Sequence, residues 1–137
     1  MYKDIFISIH PKYTKKIEFK EKRYELRNFK TKYPIKRFYI YESMPVCKLT
    51  YIANVELPII FPDKIKNSCI ESERFNNGET LYKKAYEIKD LYKLEEPLPL
   101  HKLKEDYQFT APQNYTYSER YPDLINKISN MKLIKIF

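Results

Sequence analysis

Residues 48–57, KLTYIANVEL, carry the strictest two-residue period in the chain. Leu49, Tyr51, Ala53, Val55 and Leu57 fall on one side, and Lys48, Thr50, Asn54 and Glu56 on the other, with Ile52 the exception. Strands turn successive side chains to opposite faces, so the segment reads as a strand half-buried against a core. The same period marks DIFISI at 4–9, the residues from Arg23 onward, KRFYIYE at 36–42 and AYEIKDLY at 85–92. These segments, rich in β-branched and aromatic residues, make the chain a sheet protein with helices at its margins.

The breakers set the connections. Pro11 suits the first turn of a helix over 11–21, where Tyr13, Ile17 and Phe19 stand among lysines. SMP at 43–45 is a turn, and Pro58 and Pro62 end the strand at 48–57. Residues 65–84 hold the only glycine, in NNGE, and predict a helical piece over 80–84. LEEPLPLHKLKEDY at 94–107 reads as a Pro-broken loop containing at most a helical turn. APQNYTYS at 111–118 reads as a strand or extended loop. Pro122 opens a helix with Leu124, Ile125, Ile128 and Met131 on one face, and KLIKIF at 132–137 closes as a short strand. With no internal repeat or linker, residues 1–137 predict one domain. Its class is α+β: a mixed, barrel-like domain of five to seven strands flanked by two or three short helices.

The chain carries 26 Lys and Arg against 18 Asp and Glu, a net charge of +8. Such a surface favours polyanions, and 14 tyrosines offer rings on which bases stack. RNA or a nucleotide is therefore the expected partner. Cys47 and Cys69 are too few for a disulfide framework or a zinc site, and no metal constellation stands out, so no metal or cofactor is expected. MYKDIFISIHP lacks an apolar signal region and no run reaches membrane-spanning length, so a cytoplasmic location without membrane contact is expected.

The chemistry concentrates in residues 20–29, KEKRYELRNF. Glu25 and Arg27 are two apart on a strand and share a face, and Lys22 can lean over the same patch from the end of the helix. A carboxylate flanked by two cations is an acceptor, suited to an exocyclic amine on a base edge. Arg27 can take a phosphate or carbonyl bidentately. A solvated cross-strand pair is the plain alternative.

The order ISIHPKYTKKI, KEKRYELR, KRFYIYESMP, KLTYIANVEL resembles the ASCH family of the PUA-like superfamily. Its signature is Gly-x-Lys-x-x-Glu-x-Arg where the first helix runs into the second strand. Lys22, Glu25 and Arg27 fall on its charged positions, while Lys20 stands where the pattern has glycine. The resemblance covers residues 5–57 and, more loosely, 85–118. It implies an open β-barrel with helices flanking a cleft, and binding of RNA or a modified nucleoside. Some small members resemble amidohydrolases acting on N-acylated cytidine, and others have been proposed as ribonucleases.

The candidate ligand-binding set is His10 and Lys12 at the strand-to-helix junction, Lys22, Glu25 and Arg27, Ser43 at a strand end, and Gln113, Tyr115 and Tyr117. The expected cleft lies between the 22–27 edge and 113–117. Lys15, Lys16, Lys20, Lys30, Lys32, Lys36 and Arg37 offer a basic face for a phosphate backbone. A further family carboxylate is to be sought among Glu71, Glu73 and Glu79, which the sequence does not separate. Two other functions compete with RNA or nucleoside binding. One is a small enzyme, an amidohydrolase or ribonuclease, with Lys22 and Glu25 in acid–base roles. The other is a protein-interaction module, in which the cluster would sit on a flat surface.

Overall fold

The computed structural model describes residues 1–67, 69 and 71–137. Strand β1 (Lys3–Ile9) leads into α1 (Pro11–Glu18), where His10 Nδ1 accepts from the Lys12 N–H and Pro11 occupies a position whose N–H needs no partner. There follow β2 (Tyr24–Arg27), β3 (Ile35–Glu42), β4 (Lys48–Val55), β5 (Ile59–Ile60), α2 (Ser72–Asn76), β6 (Lys84–Pro99) and α3 (Leu100–Tyr107). Strand β7 (Thr116–Tyr117), a 3-10 turn at Ser118–Arg120, α4 (Pro122–Ser129) and β8 (Leu133–Lys135) complete the order.

The strands pair in the order β2-β6-β4-β3-β1-β7, with β5 and β8 joining β6 off that path. Pairing is parallel between β1 and β3 and antiparallel elsewhere. The result is a curled mixed sheet, an open half-barrel with short helices around it, as the α+β reading expects. Six strands lie on the main path, and the described residues form four α-helices rather than two or three.

Both faces of the central strands are covered. Ile5, Ile7, Phe38, Ile40 and Ala53 join one core, while Phe6, Tyr39, Tyr41 and Ile52 join another with Leu103, Leu124 and Ile128 from α3 and α4. Strand β4 is accordingly buried on both faces, Thr50 and Ile52 included, whereas Leu57 beyond its end is exposed. A register shift between Leu49 and Tyr51 moves Leu49 to the core of Ile52, so the two residues do not share a face as simple alternation expects.

Three local expectations are corrected. The helix in the glycine-containing segment is α2, before the glycine rather than at 80–84. Gly78 (φ 70°) follows the C-cap Asn77 in the left-handed conformation, and an added Cβ would lie 2.9 Å from the Phe61 ring. Strand β6 runs through Pro97 to Pro99 instead of breaking at Leu94. Strand β8 pairs only with Tyr92–Leu94, so β6 has an unpaired edge at 97–99 where proline is tolerated. The helix expected over 11–21 stops at Glu18. Among the described residues, no helix is long and apolar enough to cross a membrane.

Candidate nucleoside cleft at the start of β2

The site begins with the way α1 ends. Lys20 N–H bonds to Ile17 O at 3.0 Å and Glu21 N–H to Lys16 O at 2.9 Å, the paired closure that places the intervening residue in the left-handed region. That residue is Lys20, at φ 61°. The tight helix-to-strand turn thus forms without glycine, and it delivers Lys22 to the mouth of β2.

Lys22 and Glu25 are both buried. Lys22 Nζ donates to Tyr24 O at 2.6 Å and lies 3.5 Å from Glu25 Oε1. Arg27 Nε donates to Glu25 Oε2 at 2.8 Å, and its Nη2, in ion-pair contact with the same oxygen at 2.7 Å, donates to Ser8 O on β1 at 2.8 Å. Arg27 therefore bridges the open seam between β1 and β2. The three charges converge as the alternation suggests, but they form a buried network and not a surface pair. Glu25 is largely occupied by its two cations, while Lys22 retains one of its three N–H donors.

A fourth charge enters from Glu71, the N-cap of α2. Glu71 Oε1 accepts from Tyr24 N–H at 2.8 Å, Arg23 N–H at 3.2 Å and the Cys69 thiol at 3.2 Å. Burial, and then this carboxylate, push the Cys69 thiol above its ordinary value. The other oxygen, Glu71 Oε2, is buried and has no hydrogen-bond partner among the described residues. Lys22 and Glu71 are thus tethered to the carbonyl and the amide of one residue, Tyr24.

These groups line a cleft of about 370 Å³ whose walls also include His10, Tyr13, Arg74 and Tyr82. An adjoining pocket of about 180 Å³ shares Lys22 and Glu71 and adds Lys16. His10 Nδ1 is taken up by the helix cap, which leaves Nε2 to carry the proton of the neutral ring. His10, Lys22, Glu25 and Arg27 of the sequence-derived set therefore meet in one concavity. Lys12 is exposed on α1 and stands over Tyr13, and the Ser43 N–H bonds to Ile9 O; neither residue is in the lining of the cleft.

The second expected wall lies elsewhere. Tyr115 packs on Phe29, and Tyr117 accepts from the Lys32 N–H and pairs through β7 with β1. Both line a separate shallow hollow, and Gln113 is exposed near it. The wall facing β2 comes instead from Glu71, Arg74, Thr80 and Tyr82. Of the three carboxylates left open, Glu71 is the one in the cleft, while Glu73 is exposed on α2 and Glu79 bonds to Asn77. Among the described residues, no group of three or more His, Cys, Asp or Glu is placed to hold a metal ion.

Among solved structures, the ASCH protein of Zymomonas mobilis shares this architecture with a TM-score of 0.67 and 22% identity, covering 95% of this chain and 96% of that one. The chain has the ASCH fold. A serine-to-alanine mutant of the same Zymomonas protein gives 0.66 at 21% identity over 95% and 97% of the two chains, and a tyrosine-to-phenylalanine mutant 0.64 at 21% over 95% and 99%. No family model and no curated protein matches the sequence. In this ASCH fold the half-barrel leaves its seam between β1 and β2, and the cleft occupies the mouth of that seam.

Proposed function

We propose that this chain binds a nucleoside, free or within RNA, in the cleft at the start of β2. Glu71 Oε2 is the observation that carries the reading. A buried acceptor without a donor costs about 1–3 kcal/mol, and a ligand N–H would recover that cost. Base edges supply such donors, and a carboxylate accepting from a cytosine amine is an established pairing. Lys22, fixed to the same Tyr24 peptide groups, adds a donor beside the acceptor, which suits a base edge with an amine next to a carbonyl. Tyr13 and Tyr82 offer rings for stacking, and a cleft of about 370 Å³ falls in the range of small-molecule pockets. Titration with nucleosides paired by an intact or doubly methylated exocyclic amine tests this. Methylation should weaken binding about tenfold or more, since hydrogen bonds to charged groups contribute about 1.5–3 kcal/mol. Equal affinity would contradict the assignment.

Hydrolysis of an N-acylated cytidine is a second reading, favoured by the same unpaired oxygen. A buried carboxylate next to an ammonium can take a proton from water while the cation steadies a developing oxyanion. Glu71 fits the base role better than Glu25, whose Oε2 already accepts from Arg27. Activity surviving in Lys22→Ala would remove this reading.

A further inference from the structure

Lys22 also lines a third cavity. This groove of about 220 Å³ lies along β6 and gathers the cations Lys20, Arg23 and Lys89, with Glu87 as its carboxylate side chain and the Phe137 ring at one side. Arg23 is exposed and makes no ion pair among the described residues, and Lys89 pairs only with exposed Glu56 at 3.6 Å. Lys20 is the informative member. It adopts a left-handed conformation that favours glycine, and its Nζ stands over the Phe137 ring at 4.9 Å. Glycine there would relieve the backbone but bring no charge to the groove. Non-glycine residues held in such conformations concentrate at functional sites.

We propose that this groove is a phosphate subsite, receiving the backbone of the nucleotide next to the one held in the cleft. The ligand class is then a single-stranded polynucleotide and not a free nucleoside. The inference rests on the nucleoside reading of the cleft. The geometry joins the two, because Lys22 is a shared wall. The chemistry fits as well: four cationic side chains, Lys22 included, stand against the one acidic side chain of Glu87, and the guanidinium fork of Arg23 matches phosphate oxygens.

The test titrates a labelled single-stranded RNA oligomer and an unphosphorylated nucleoside, across salt, against wild type, Lys20→Gly and the Arg23→Gln/Lys89→Gln pair. Lys20→Gly should raise the urea midpoint and still weaken RNA binding, which separates lost contact from lost fold. Each phosphate contact removed should take about 0.7 from the slope of log affinity against log salt. Nucleoside affinity should stay unchanged throughout. RNA affinity and slope unchanged in the paired variant, with the nucleoside still binding, would overturn the groove alone. Nucleoside affinity falling in parallel would also overturn it, because the cations would then serve the cleft. Failure of wild type to bind any nucleoside would remove the cleft reading and the groove with it.

Discussion

Lys20 holds a backbone conformation that costs the fold, with a side chain that the groove proposal gives to phosphate. Its φ of 61° closes α1 in a geometry that glycine adopts freely and an L-residue adopts at a cost of about 1 kcal/mol. Lys20→Gly should therefore stabilise the protein by about 0.5–1 kcal/mol, read as a higher urea midpoint with an unchanged slope. A lower midpoint would mean that the Lys20 side chain, through its contact with Phe137, contributes more than the backbone loses. Glu71 presents the same tension in another form. One oxygen holds β2 in place through two backbone N–H groups, and the other meets no donor among the described residues.

Among the elements, the seam between β1 and β2 depends on Arg27. Arg27→Ala would leave Glu25 buried with Lys22 as its one cation and would free Ser8 O. A loss of about 3 kcal/mol is expected from urea unfolding, the low end for breaking a buried pair, because Lys22 still faces Glu25. Arg27→Lys should recover only part of it, since an ammonium lacks the fork that reaches Glu25 and Ser8 together. An exposed ion pair would lose under about 1 kcal/mol in either variant, so a small effect would contradict the buried network. Lys22, Glu25 and Arg27 were legible in the sequence because one short segment carries all three and strand alternation fixes their relation. The opposing wall was not, because Glu71 and Arg74 reach the cleft from a five-residue helix and its N-cap with no hydrophobic period, and Tyr82 from the irregular segment before β6. Tyr115 and Tyr117 misled for the same reason: nothing local says that β7 pairs with β1 away from β2. The glycine in NNGE was a usable signal placed on the wrong side, since glycine ends helices more often than it precedes them.

For the whole molecule, buried tyrosines set an alkaline limit. Burial pushes Tyr86 up to about 12, and burial with Cys47 beside it pushes Tyr41 up to about 12. Tyr51 is raised by burial and by donating to Glu18 at 2.6 Å. Unfolded tyrosines lose their protons near pH 10, so above that point the unfolded state binds fewer protons than the native one. Stability should hold up to about pH 10 and fall steadily between pH 10 and 12, followed by urea midpoints across that window. A flat profile would mean that these hydroxyls are not buried. On the proposed function, the cleft in the seam of the half-barrel takes a nucleoside through Glu71 and Lys22. Calorimetric titration of nucleosides into wild type and Glu71→Gln tests it, because glutamine can keep the bonds to Arg23 and Tyr24 while replacing the free acceptor with a donor. The expected result is saturable binding to wild type that weakens about tenfold or more in Glu71→Gln at an unchanged urea midpoint. Equal affinity of the two proteins, or no binding to either, would contradict the claim.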